Sequence, residues 1–484
     1  MIQKKIAVLI ALPAALALSG CLGPAYKRPA VETPATYKEA ADAAQWQVAK
    51  PGDAVPKGEW WKIFGDDKLD ELELKIAVSN QSVAQAQAQY REALELVSIN
   101  RSAYLPTIAT NPSAQRGYGG SGTAAHTYTD NFQLPLTAAW EPDLWGQIRQ
   151  SVAGAKAAAQ ASAATLENVR LSLQAQLAID YFSLQELDME ETLLNSSTGS
   201  YVEALMLTKT RFAHGVAAET DVDQAQTQLD STRAQATDVA LRRAQLEHAI
   251  AVLVGQAPAS FSLSTGTIQA PPPPIPAVLP AQLLERRPDI ATAERAVAAA
   301  NANVGLARTA YFPAIDLAGA IGYEAGNAAH WFDWPNRFWS IGASAAETIF
   351  DFGKRRAEQR QVNAAYDAAV AAYRQTVLSA FQEVEDNLSA LALLSQEGVQ
   401  QDSAAKAAET SLKLELDRYK AGIVSYLDVI QSQNIALTNE RAAAQVLGRR
   451  LTSAVVLIRA VGGGWDASQM PYVKQAAAAP AAKR

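Results

Sequence analysis

The chain repeats itself at one fixed spacing. RFAHGVAAETDV, from Arg211 to Val222, returns as RYKAGIVSYLDV, from Arg418 to Val429, with the glycines, aspartates and final valines in register at an offset of 207 residues (422 − 215). The same offset joins RSAYLPTI (Arg101 to Ile108) to RTAYFPAI (Arg308 to Ile315), Gly146 to Gly353, and Gly255 to Gly462. A spacing held at four places is a tandem duplication. Each copy covers roughly 190 residues, far beyond a solenoid repeat, so the chain holds two halves of one architecture.

Within each half the repeated glycine turn lies between long helical patterns, which makes it the tip of a helical hairpin. Gln147 to Arg211 and Lys354 to Arg418 are rich in alanine and almost free of glycine and proline. Tyr366, Val370, Tyr373, Val377, Phe381, Val384, Leu388 and Leu391 recur at coiled-coil spacing with one stutter. A helix of that length is about 100 Å long. Glu219 to Val254 and Tyr426 to Val461 return from the tips, and Asp66 to Ala103 and Pro280 to Ala310 read as further helices, the first capped by Asp66 or Asp67.

Strand patterns occupy the remaining part of each half. Phe132, Leu134, Leu136, Ala138 and Trp140 alternate with Gln133, Thr137 and Glu141, and Thr107 to Tyr118 precedes them as a second strand. In the other half Ile315, Leu317, Ile321 and Tyr323 form one alternating set, and Trp339, Ile341, Ala343 and Ala345 form the other. Each half thus contributes one hairpin with an apolar and a small, polar side. Trp140, Trp145, Trp331, Trp334 and Trp339 near the strand ends suit an interfacial girdle. Past the N-terminal leader no apolar run is long enough for a membrane helix, so any crossing of a bilayer must use strands. Four strands are too few for a membrane barrel, and an open edge is not tolerated in lipid, so two or three copies must pool their strands.

Residues 1–20 carry Lys4, Lys5 and an apolar run, the signature of a signal peptide. Cys21, the only cysteine, follows small residues in a lipobox-like pattern, which points to acylation and a membrane anchor. Residues 21–59 are proline-rich and expected to be an extended tether; 60–255 and 281–464 are the two repeats; 256–280 is a proline-rich linker; 465–484 is a low-complexity tail. A formal net charge of −7 with scattered basic residues gives no stripe for nucleic acid. His126, His214, His248 and His330 have no metal-ligand spacing, and no nucleotide-binding or hydrolase motif occurs, so neither cofactor nor enzyme activity is expected. Glu383, Glu385 and Asp386, like Glu186, Asp188, Glu190 and Glu191, read as solvated helix faces.

The duplicated hairpins, the YLP and YFP strand entries, the LWGQIR and DFGKRR helix starts, WWKIFGDDKLDEL and the lipobox together resemble the TolC family of outer-membrane efflux channels, in its OprM/NodT-type lipoprotein branch. The resemblance covers about Trp60 to Gly464. It implies a mainly α protein whose four strands per chain join a twelve-stranded outer-membrane β-barrel in a homotrimer, continued by a periplasmic α-helical tunnel. It further implies a periplasmic adaptor (membrane fusion protein), an inner-membrane transporter, often of the RND class, contact with outer-membrane lipid, and export of drugs or other small molecules. By resemblance Asp428, with Leu427 and Gln431, falls at the periplasmic gate, where Gln431 replaces an acidic residue. Asp221 and Tyr419 fall at a latch between hairpins, with Val424 where the family pattern has arginine. Gly215, Val216, Gly422 and Ile423 fall at adaptor-docking tips. The competing reading is a periplasm-spanning structural lipoprotein without a pore, and the alternative reading of Asp428 is a cap on the helix that starts near Tyr426.

Overall fold

The computed structural model describes residues 24–39, 59–119, 127–268, 271–273 and 287–463. The signal peptide, Cys21, the C-terminal tail and part of the linker lie outside the described residues. Helices α1 (Asp67–Ser79) and α2 (Gln81–Ser102) lead into strands β1 (Thr107–Thr110), β2 (Ser113–Gly119) and β3 (Thr127–Trp140), then α3 (Gln147–Ala213) and α4 (Glu219–Leu253). The second copy supplies α5 (Pro288–Thr309), β4 (Ala314–Ala325), β5 (Arg337–Ala346), α6 (Lys354–Lys420) and α7 (Tyr426–Ala460). The bounds of α2, α3 and α4 recur in α5, α6 and α7 at the offset of the sequence repeat, with lengths of 22, 67 and 35 residues in both copies. The duplication is therefore a duplication of elements.

Two compact units are traced through the chain. One takes the described parts of 1–30, 89–162 and 292–374 and contains the sheet; the other takes those of 31–88, 163–291 and 375–484 and contains the hairpin tips.

In the first unit all strands are antiparallel in the order β1/β2, β3, β4, β5. Thr107 to Tyr118 is interrupted at Asn111 and Pro112, a residue that cannot donate to the ladder. The register nevertheless continues across the gap, Thr110 facing Leu136 and Ser113 facing Gln133, so β1 and β2 act as one strand and the sheet is effectively four-stranded. At Gly322, opposite Pro135, an added Cβ would lie 2.2 Å from the Leu134 carbonyl oxygen, so only glycine allows the backbones to approach there.

In the second unit the predicted helix from Asp66 to Ala103 is broken at Asn80. Asp66 caps α1, accepting from the amides of Lys68 and Leu69. Asn80 Oδ1 accepts from the amides of Ser82 and Val83 at 2.9 and 3.2 Å and starts a new helix, while its Nδ2 donates to the Leu253 carbonyl at 2.8 Å. The break thus ties α1 to the end of α4. Where α4 stops, Gly255 adopts φ 72° within 2.3 Å (from a built Cβ) of the Ser79 carbonyl oxygen. Of the coiled-coil stripe on α6, Tyr373 through Leu388 is buried and its two ends are half-buried.

Of the seven acidic residues expected on solvated faces, Asp188 and Glu190 are buried, Glu186, Glu191, Glu383 and Glu385 are half-buried, and Asp386 is exposed. Asp188 accepts from Arg243 Nε at 2.5 Å and from the Gly266 amide at 2.8 Å, and Glu190 accepts from Arg441 Nε at 2.7 Å. Both are buried. Glu383 binds Arg287 at 2.7 Å and also Arg459, and Glu385 accepts the amides of Lys38 and Glu39. Their positions on one helix hide the arginines that neighbouring helices bring, and paired burial overrides the preference of lone carboxylates for water.

Candidate functional site

The sheet is two-faced, as the alternation predicts, and its register shows which residues of different strands share each face. Directly opposed residues share a face, so Thr110, Leu136, Ile321 and Trp339 form one row, Ile108, Ala138, Gly319 and Ile341 the next, and Trp140, Leu317 and Ala343 a third. Leu136, Ile321, Trp339 and Ile341 are at least half exposed on it. On the opposite face lie Ala109, Thr137, Ala320 and Ser340 in one row and Asp316 beside Ser344 in another. There Glu324 accepts from Asn131 and Gln133 at 3.2 and 2.8 Å. From Phe132 to Trp140 the apolar face of β3 spans eight residue steps, about 27 Å along the strand. That matches the roughly 25 Å lipid-facing band of membrane barrels.

Aromatic rings mark both ends of this band. At one end Trp140 donates to the Tyr104 carbonyl, and Trp145 stacks on Phe312 while donating to the Pro313 carbonyl at 2.7 Å. At the other, Trp331 lies against Phe132 and Phe332, and Trp334 is exposed under Arg337. The outer edges of β1/β2 and β5 have no strand beside them among the described residues.

The tips are built twice by the same rule. The Val216 amide reaches the Arg211 carbonyl at 2.8 Å and the Gly215 amide the Phe212 carbonyl at 2.9 Å; Ile423 reaches Arg418, and Gly422 reaches Tyr419, both at 2.9 Å. These are Schellman stops, which need a left-handed residue, and Gly215 and Gly422 supply φ 71° and 76°. Val216 and Ile423, the next residues, are 64% and 68% exposed, an apolar pair presented at matching places.

Each returning helix has an aspartate as its third residue. Asp221 accepts the Ala218 amide at 3.2 Å, and Asp428 accepts both the Ser425 amide and the Ser425 hydroxyl, at 3.0 and 2.7 Å. Those bonds from Ser425 hold the Asp428 carboxyl below the ordinary aspartate range. Asp428 therefore does occupy a capping position. It also lies with Leu427 and Gln431 on one exposed side of α7, while Tyr426, Val429 and Gln433 turn inward.

Asp221 and Tyr419 are not hydrogen-bonded to each other in the described chain. Tyr419 is buried with Tyr201, Leu205, Leu229 and Tyr426, with its hydroxyl 3.3 Å from that of Thr208, and Val424 packs on the same cluster. Burial pushes the Tyr426 hydroxyl up to about 12. Arg211, which sequence reasoning did not single out, donates from Nη1 to the Tyr419 carbonyl at 2.6 Å, and its guanidinium lies 4.6 Å from the Tyr419 ring centroid. Its duplicated position next to the tip was the available signal. Among the described residues no cluster of potential metal ligands occurs, and no helix is long and apolar enough to cross a membrane.

A family profile described as "Outer membrane efflux protein" matches residues 75–256 and 279–463. Outer membrane protein OprJ of Pseudomonas aeruginosa is 30% identical over 466 residues, spanning 94% of this chain and 95% of OprJ. The pyoverdine export outer membrane protein OpmQ of the same organism is 29% identical over 446 residues, spanning 90% and 94%. Among solved structures, the outer-membrane channel OprN superposes with a TM-score of 0.83 at 30% identity, covering 92% of this chain and 99% of OprN.

Proposed function

We propose, from the premise that the chain belongs to the outer membrane efflux protein family, that three copies join their sheets into a twelve-stranded barrel through the outer membrane and their hairpins into a tunnel. The protein is an efflux channel subunit of the outer membrane. Its duct is passive and non-enzymatic, fed by a periplasmic adaptor and an inner-membrane transporter of the RND class, and it exports small organic molecules. The observation that supports this best is the open four-stranded sheet with an apolar face on one side and small polar residues on the other. Such a sheet needs partners for both edges, and three copies leave the polar face to line a lumen.

In this reading Leu427, Asp428 and Gln431 form the periplasmic constriction, because their shared side of α7 is unsupported by their own chain. Asp221 and Tyr419 belong to the contacts that hold neighbouring hairpins, and Gly215, Val216, Gly422 and Ile423 receive the adaptor. Cys21 is acylated and anchors the chain to the membrane. Purified protein in a planar bilayer tests the duct: trimers carrying Leu427→Ala and Asp428→Ala should conduct, and silence from inserted trimers would favour a structural lipoprotein. Cys21→Ser should abolish palmitate labelling while the barrel still inserts; unchanged labelling would remove the anchor.

A further inference from the structure

The two tips are alike in sequence but not in contact. Arg211 of the first hairpin lies on the ring and carbonyl of Tyr419 in the second. Arg418 stands one repeat beyond Arg211, and Phe212 stands one repeat before Tyr419, so the chain carries the same pair a second time with the hairpins exchanged. Within the chain this second pair is not joined. The Arg418 side chain is 51% exposed and turns back to Glu415 at 2.7 Å, and Phe212 is 45% exposed.

In a closed ring of three chains with two like hairpins each, seams within chains alternate with seams between chains. The step that carries the first hairpin onto the second also carries the second onto the first hairpin of the next copy. A contact across one seam therefore has an image across the other. We propose that Arg418 of one copy stacks on Phe212 of the neighbouring copy, the between-chain image of Arg211 on Tyr419. The inference rests on the trimeric reading above. A phenyl face accepts a guanidinium as a phenol face does, and both side chains are exposed where the contact requires.

Many images of the other seam residues are smaller or more polar, although Leu205 and Leu207 keep leucines at Leu412 and Leu414. Tyr201, Leu416 and Tyr426 pack at the seam inside the chain, and their counterparts are Ala408, Lys209 and Glu219. The seam between chains thus has less apolar packing than the inner one, which leaves the contact of Arg418 with Phe212 a larger share of it.

The test is cross-linking of the full-length protein in its membrane with a short bismaleimide, because a direct disulfide needs closer Cβ atoms than a stacked pair provides. Phe212→Cys with Arg418→Cys should give covalent dimers and trimers on a denaturing gel, absent from either single variant, whereas Arg211→Cys with Tyr419→Cys should stay at monomer mass. A Phe212/Arg418 pair that remains at monomer mass in a protein shown by light scattering to be trimeric overturns the inference alone; a protein that is not trimeric overturns the trimeric reading with it. As a second readout, Arg418→Ala should raise closed-state conductance several-fold, and the exchange Arg418→Phe with Phe212→Arg should restore it. Unchanged conductance in Arg418→Ala, or failure of the exchange to restore it, counts against the contact.

Discussion

At the scale of single residues, the capping bonds of Asp428 and its proposed place in a constriction are separated by different measurements. Asp428 binds the Ser425 amide and hydroxyl through its ionised form, so its carboxyl is held down. A depressed carboxylate stabilises the fold above its unfolded pKa, and that contribution is lost as pH falls through the lower folded value. Amide exchange protection at the start of α7 should accordingly persist to more acidic pH than an ordinary aspartate would allow, and Asp428→Ala should remove that dependence. The same carboxylate in a constriction predicts that Asp428→Asn weakens cation selectivity and divalent block, and that Gln431→Asp strengthens block; selectivity indifferent to both changes would move the gate elsewhere. The capping position was legible from Ser425-Tyr426-Leu427-Asp428 alone. Arg211 was not, because its role depends on a carbonyl and a ring brought by the other copy.

Glu73 is the residue the sequence conceals most completely. It sits on α1 between Leu69 and Ile76 with neither carboxylate oxygen hydrogen-bonded, and burial, aided by Asp70, holds its carboxyl well above the ordinary range. A raised carboxyl favours folding only while protonated, so its penalty grows as pH rises above the unfolded pKa. Glu73→Leu should stabilise the protein at neutral pH by about 1–3 kcal/mol and have less effect near pH 4. Equal effects in thermal melts at both pH values would refute that account.

At the scale of elements, glycine substitutions separate stops that are merely left-handed from stops that are also crowded. Nothing lies within 4 Å of a built Cβ at Gly215, so Gly215→Ala should cost about 1–2 kcal/mol, the left-handed penalty alone. Gly255→Ala adds a clash with the Ser79 backbone and should cost clearly more in chemical denaturation. Gly422→Val should leave the sheet in the membrane but impair adaptor cross-linking and export. The long helices were legible to within two or three residues, since uninterrupted alanine-rich sequence fixes their length and tip glycines fix their ends. The break at Asn80 was not, although asparagine is a natural cap, because the apolar pattern runs on through it. The carboxylates of Asp188 and Glu190 were misread for a related reason: one helix's periodicity tells which side a residue occupies, and the partner helix decides whether that side is wet.

At the scale of the whole molecule, the duplication was the most informative feature of the sequence, and the structure shows it preserved in helix lengths that agree to the residue. Conservation of length is not conservation of detail. The carboxylate that receives the first amides of α3 is Asp143, whereas at α6 it is Asp351, one position out of register with the repeat. Divergence has been free to move an anchor but not to change a count. Helices with fixed stops at both ends are rulers: each heptad is worth about 10 Å, and the length of each helix is set by counting residues. Seven residues removed from α3 alone would give the two copies different rulers, and trimer yield should collapse. Matching cuts in α3, α4, α6 and α7 would keep the rulers equal, and trimers should then form again from shorter hairpins.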